Sequence, residues 1–332
     1  MANTQSNQKR SPVRRWIRRG FIAWAVVSTL WLFNSYRTQG VADTLLTTDA
    51  RVTVQSSPDA LAFLPNPAVG PSGLLFIVGA GVSAEAYAPL LRPIAEKGYR
   101  VFVVRLPWRI APLEQHKKAA LTRVHAILGD NDQARDWVVA GHSLGGALAC
   151  RIAAESPPSV RAMVLIGTSH PKTTDLSQSR MPITKVYASN DGVATVEMIN
   201  ATRHLLPGHT RWIEIEGGNH SQFGHYGHQL FDGSPTISRE RQQDVTRSAL
   251  LDALEHAGRQ DGAIPGRYRE LIALAVACTT QSPYCIDAHA KAVKSAGATP
   301  EEVVESAFLA AALRAGGAAT HGAMALKFFD RQ

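Results

Sequence analysis

A serine with glycine two residues away on each side, Gly141-His142-Ser143-Leu144-Gly145, follows an apolar run (Trp137–Ala140). A stretch of small residues comes after it, among them Ala147, Ala149 and Ala153. This order describes a strained strand-to-helix turn that lifts a serine oxygen clear of a sheet, a nucleophile elbow. Gly141 and Gly145 are required because a Cβ at either position would strike the neighbouring strand or helix. Leu144 then offers its backbone N–H to an oxyanion, at the positive end of the helix that begins there. A serine so placed performs acyl transfer when an imidazole and a carboxylate reach it. The expected order is Ser, acid, His, each at the C-terminal end of a strand. Asp191 closes the run from Ile183 where it breaks into a loop, and His220 follows the run from Trp212 through two glycines. His225, His228 and His170 compete; His220 is preferred because it comes first after its strand. The second oxyanion donor belongs to the loop Val78-Gly79-Ala80-Gly81-Val82, with Ala80 the choice and Gly81 its close rival.

These side chains need a scaffold, and the surrounding pattern supplies one. Leu74–Val78, Val101–Val104, Trp137–Ala140, Met163–Ile166, Ile183–Tyr187 and Trp212–Ile215 are apolar runs separated by helical stretches. Unbroken apolar strands alternating with helices indicate a parallel sheet covered on both faces, a doubly wound α/β domain. About 16 residues separate Ile166 from Ile183, too few for a helical cap, so the site should be open and shallow. After Arg259–Pro265 the character changes to four helical runs, Tyr268–Ala277, Ile286–Ser295, Glu301–Arg314 and Ala318–Phe328. Thr299, Pro300 and Glu302 form a capping box at the start of the third. The division expected is 1–42, 43–257 and 262–332.

The chain has 332 residues, 45% of them hydrophobic, and a formal charge of +8. Seven basic residues (Lys9, Arg10, Arg14, Arg15, Arg18, Arg19, Arg37) fall within residues 1–40 with no acid among them, leaving the remainder near neutral. This distribution speaks against a nucleic-acid-binding face. It suits a targeting segment, since Gly20–Phe33 carries no charge. The expectation is a single-pass signal anchor through residues 20–36, with the folded part outside the cytoplasmic membrane. Cleavage after Ala42 and an amphipathic start are the alternatives. Three cysteines (Cys150, Cys278, Cys285) are too few for a disulfide scaffold, and no metal or cofactor is called for.

The run from Gly73 to about Leu254 resembles an α/β-hydrolase of the compact, dienelactone-hydrolase-like kind. Ala86-Tyr87-Ala88-Pro89-Leu90, Gly141–Gly146 and Gly217–Gly227 are similar to a bacterial membrane-anchored subfamily. The resemblance implies a fold and ester-cleaving machinery, with no substrate named.

In the last 70 residues Cys285 opens a helix with His289 one turn on, a setting that favours a thiolate. Glu270 through Ala277, Ser282-Pro-Tyr-Cys285-Ile-Asp-Ala-His289 and Gly297–Glu302 resemble the carboxymuconolactone decarboxylase / alkylhydroperoxidase D superfamily. Redox members of that superfamily carry Glu, Cys-x-x-Cys and His; Glu270, Cys285 and His289 match, and Ser282 stands in place of the first cysteine. The expected function is a serine hydrolase acting on an ester, thioester or lactone, fused to a peroxidase-like helical module. The alternatives are a lactonase–decarboxylase bifunctional enzyme and a hydrolase with a non-catalytic module. Alanine-rich helices this short bury little surface alone, so a homo-oligomer through the helical domain is expected.

Overall fold

The computed structural model describes residues 12–68, 72–130, 134–258 and 264–331. They divide into two compact units, residues 1–258 and 259–332. The first unit holds eight strands: β1 (Val52–Ser56), β2 (Ala60–Pro65), β3 (Ser72–Ile77), β4 (Arg100–Val104), β5 (Asp136–His142), β6 (Val160–Ile166), β7 (Ile183–Ala188) and β8 (Arg211–Ile215). Its helices are α1 (Pro12–Tyr36), α2 (Ala88–Glu96), α3 (Glu114–Gly129), α4 (Leu144–Glu155), α5 (Val196–Ala201) and α6 (Arg239–Gly258). The strands form one sheet in the order β1-β2-β4-β3-β5-β6-β7-β8.

From β4 through β8 neighbouring strands are parallel, with Leu75 of β3 lying between Phe102 of β4 and Val139 of β5. Every residue of β3 and β5 is buried, which is why these two read as unbroken apolar runs. Helices α2 and α6 pack together over one part of the sheet, while α4 lies on β3, β5 and β6 with α3 beside it. Burying apolar surface on both faces contributes about 25 cal/mol per Å² and is the main force holding the layers. The antiparallel strands β1 and β2, absent from the sequence expectation, extend the edge beyond β4. They are joined by a short turn in which Ser57 Oγ accepts from Asp59 and Ala60 N–H.

The membrane expectation is corrected here. No helix among the described residues is long and apolar enough to cross a membrane. Helix α1 has 25 residues, but Arg14, Arg15, Arg18 and Arg19 occupy its first two turns. The apolar run Gly20–Phe33 after them spans only about 21 Å at 1.5 Å per residue, against a hydrocarbon core of about 30 Å. A single-pass anchor, and the extracytoplasmic placement drawn from it, therefore lose their support. The end of α1 is instead built into the first unit. Ser35 Oγ donates to the His228 carbonyl, Arg109 donates to the Tyr36 carbonyl at 3.2 Å, and Thr38 bridges Tyr226.

The second unit contains α7 (Gly266–Thr280), α8 (Pro283–Ser295) and α9 (Pro300–Phe329). Its small core is Leu271, Leu274 and Val293, with Cys278, Ile286 and Val303 against it. The two last helical runs of the sequence are one helix of 30 residues. Gly316 and Gly317 sit within it at ordinary helical angles, so the glycine pair weakens the helix without ending it.

Candidate active site

The elbow between β5 and α4 places Ser143 at φ 53° and ψ −117°, a conformation that costs a non-glycine residue energy. The turn is tight enough to exclude side chains on both sides. A Cβ on Gly145 would lie 2.0 Å from the Ile77 carbonyl oxygen, and one on Gly141 would lie 2.2 Å from the Gly145 carbonyl carbon. Ser143 is itself half-buried.

Asp191 lies past the end of β7 and His220 past β8. The His220 Nδ1–H donates to Asp191 Oδ2 at 2.8 Å, and both side chains are almost wholly buried. The other Asp191 oxygen accepts from the N–H groups of Val193 and Ala194, so the carboxylate is fixed at both ends. Thr195, and not Asp191, caps the helix that follows. His220 Nε2 is buried and has no hydrogen-bond partner. Hydrogen bonds of this kind are often open in the absence of substrate. The ring of His142, the residue before the serine, lies 4.6 Å from that of His220, centroid to centroid.

The rival histidines are occupied elsewhere. His228 Nε2 contacts the Asp232 carbonyl at 3.1 Å, and His225 lies against Gly40 and donates its backbone N–H to Ala86. His170 is half-buried, and burial and nearby lysines push its imidazole down to about 4.

The loop after β3 resolves its donors by elimination. Val78 N–H goes to Val104, Gly79 N–H to the Tyr87 hydroxyl, Gly81 N–H to Arg109 and Val82 N–H to Gly79. Among the described residues the Ala80 N–H has no acceptor, and neither has the Leu144 N–H at the start of α4. Two backbone donors, one on the elbow and one on the loop after β3, are thus left open.

Three residues with structural roles here were given none by sequence reasoning. Tyr87 is fully buried; its oxygen accepts from Gly79 N–H at 3.1 Å and lies 2.8 Å from His142 Nδ1. The hydroxyl thereby ties the loop of Ala80 to the residue preceding Ser143. His142 is held neutral, because burial and the neighbouring His220 both lower its basicity. Asp232 Oδ1 accepts from His220 N–H at 3.0 Å, and Oδ2 from Ser221 N–H at 2.8 Å and Ser221 Oγ at 2.6 Å. It grips the loop that carries His220. Its only sequence signal is an acid in a Gly- and Pro-containing loop, too common to single out.

In the second unit, Glu270 Oε2 accepts from His289 Nδ1 at 2.9 Å across α7 and α8. Cys285 is half-buried in the first turn of α8, where its N–H donates to Ser282 Oγ, the helix cap. All three cysteines are free thiols. No group of three or more His, Cys, Asp or Glu among the described residues could hold a metal ion.

Residues 73–244 match the model of the alpha/beta hydrolase family, and residues 248–328 match that of the carboxymuconolactone decarboxylase family. The first match covers half of the chain, and the chain belongs to the alpha/beta hydrolase family. It is 46% identical over 70 residues to "Uncharacterized protein 4 in cox locus" of Paracoccus denitrificans, covering 21% of this chain and 63% of that one. It is 36% identical over 96 residues to a putative non-heme haloperoxidase of Mycobacterium phage D29, covering 28% and 34%. The chain thus spans less than two thirds of the length of either relative. Among solved structures, ferulic acid esterase from Streptomyces cinnamoneus is 21% identical with a TM-score of 0.47, covering 59% of this chain and 69% of that one.

Proposed function

We propose that the first unit is a serine hydrolase of carboxylic esters, thioesters or lactones, of the compact dienelactone-hydrolase-like kind. The observation that carries this reading is His220, tied through Nδ1 to Asp191 with Nε2 left unpartnered and its ring 4.6 Å from that of His142, the residue before a serine held at positive φ. Ser143 Oγ attacks the acyl carbon and passes its proton to His220 Nε2. Asp191 stabilises the imidazolium and fixes its tautomer. The oxyanion is held by the N–H groups of Leu144 and Ala80. His220 returns the proton to the leaving oxygen or sulfur, and water repeats the cycle on the acyl-enzyme. The connection from β6 to β7 contains no helix, which supports a site open to substrates of varied shape.

For the second unit the reading is a thiol site on Cys285, with Glu270 and His289 forming a proton-handling pair beside it. One labelling experiment tests both. A fluorophosphonate should mark the wild-type chain and leave Ser143→Ala unmarked, and Ser143→Ala should lose at least about a thousandfold in ester hydrolysis. A limiting dose of thiol-reactive probe should mark Cys278→Ser and spare Cys285→Ser. Full activity in Ser143→Ala would end the hydrolase reading, and equal marking of the two cysteine variants would end the thiol reading.

A further inference from the structure

The segment from Asn34 to Gly40 lies between the loop after β3 and the loop of His220, and it precedes the residues that match the hydrolase family. Toward the first loop, Thr38 Oγ1 shares a hydrogen bond with Ser83 Oγ at 2.6 Å. Arg109 ties the same loop to the segment: its carbonyl accepts from Gly81 N–H at 2.9 Å, and its guanidinium donates to the Tyr36 carbonyl at 3.2 Å. Toward the second loop, Gln39 N–H donates to the His225 carbonyl at 2.9 Å. Thr38 pairs with Tyr226, whose hydroxyl donates to the His220 carbonyl at 3.2 Å. The segment is thus a strap joined on both sides to the candidate active site.

Tyr36 is the aromatic residue of this strap, half-buried with its ring laid on Gly81. Gly81 has φ 82°, and a Cβ there would lie 2.5 Å from Tyr36 Cδ1, so the ring rests on bare backbone. At the other end of the loop, a Cβ on Gly79 would lie 3.4 Å from Ser143 Cβ. Gly79 and Gly81 are two residues apart, at most about 7 Å of extended chain, and the open N–H of Ala80 is between them. The ring and the nucleophile therefore flank one backbone donor. The bend that positions Arg109 has positive φ at Trp108 (55°), Arg109 (63°) and Ala111 (41°). Such conformations cost non-glycine residues energy and gather at functional sites. Trp108 is left 79% exposed, one residue from the group that holds both Gly81 and Tyr36.

We propose that Tyr36 is a specificity-determining residue of the first unit, the wall on which an apolar group of the substrate packs when the acyl oxygen is held by Ala80 N–H. The inference rests on the hydrolase reading of Ser143. A half-buried phenol ring beside the donor offers a flat apolar face and no charge. The substrates it favours are esters or thioesters with an aryl or medium-length alkyl group next to the reacting carbonyl. A methyl group there would leave most of the face in water.

Steady-state kinetics of the full chain on two ester series tests this. One series is the p-nitrophenyl esters from acetate to octanoate with benzoate added; the other is the acetate esters of methanol through octanol with benzyl alcohol added. In one of them the wild type should favour the apolar members over the smallest by at least about tenfold in kcat/KM, and that series identifies the side of the ester that meets Tyr36. Tyr36→Ala should lower this preference at least about tenfold, Tyr36→Phe should keep it, and Tyr36→Leu should fall between. Circular dichroism and thermal unfolding show whether each variant is folded; if Tyr36→Ala is not, Tyr36→Leu carries the comparison. A preference unchanged in the folded variants, a loss equal for every ester, or loss of the preference in Tyr36→Phe would overturn the proposal. A wild type labelled by a fluorophosphonate at Ser143 but indifferent to both series would overturn it alone. A wild type that takes no label and cleaves no ester would overturn the hydrolase reading, and this inference with it.

Discussion

Lys185 sits in β7 under the helices with 1% of its surface exposed, and its ammonium donates to the His170 carbonyl. Burial pushes this lysine down to about 8 from an ordinary value of 10.5. Between those two values the unfolded chain holds a proton that the folded chain has released, so stability rises with pH through that window. At 1.36 kcal/mol per unit, the rise between pH 8 and pH 10.5 is about 3 kcal/mol. Cys150 works in the opposite sense: burial pushes its thiol up to about 12, so ionisation of the unfolded thiol costs stability above pH 9. Lys185→Met removes the first effect and keeps the second, which makes the difference between the two proteins the quantity to measure. It also leaves the His170 carbonyl short of a donor, an offset of about 1–3 kcal/mol that does not change with pH. Urea unfolding at pH 7, 8.5 and 10 provides the assay. All six tryptophans lie between residues 16 and 212, so their fluorescence reports the first unit alone. The wild type should gain on Lys185→Met by about 2–3 kcal/mol between pH 8 and pH 10. Parallel pH profiles would refute the account of Lys185 as a buried ammonium.

Asp232→Ala strips the acceptor from His220 N–H and from both donors of Ser221. It should lower the melting temperature and reduce kcat about 10- to 100-fold with KM little changed, read by steady-state kinetics on an ester and by thermal unfolding. Tyr87→Phe leaves Gly79 N–H without its acceptor and His142 Nδ1 without its hydroxyl. It should cost about 1–3 kcal/mol of stability, and fluorophosphonate labelling should slow in step with kcat. Unchanged labelling would mean that the loop of Ala80 holds its place without the hydroxyl.

The part of the site that was legible in the chain is the part made by neighbours. The elbow needs a serine between two glycines, a buried strand before it and small residues after it, all within one contiguous stretch. The collisions that forbid a Cβ on Gly141 and Gly145 are consequences of that local turn and its adjacent strand. The apolar runs at β3 and β5 were visible for a similar reason: a strand buried on both faces has to be apolar throughout. Helix α9 was misread as two because a glycine pair weakens a helix in isolation, while propensity is a weak force beside the continuous hydrogen bonding of the turns around it.

Other features depended on residues distant in sequence. His220 was separated from three competing histidines in the sequence only by its place after β8; in the structure it is the one whose Nδ1 reaches Asp191. The N–H groups of Ala80 and Gly81 differ only in the folded chain, where that of Gly81 is donated to the Arg109 carbonyl and that of Ala80 has no acceptor. Asp232 acquires its role from a loop that folds back 11 and 12 residues onto Ser221 and His220. The basic, apolar N-terminal stretch showed composition, and composition overstated it as a membrane span. What decided against that was the helix itself, too short in its apolar part and joined at Ser35 and Tyr36 to loops more than 70 residues away. Spacing along a chain records local constraints; which distant donor finds which acceptor is settled only by folding, which leaves buried polar groups little choice of partner.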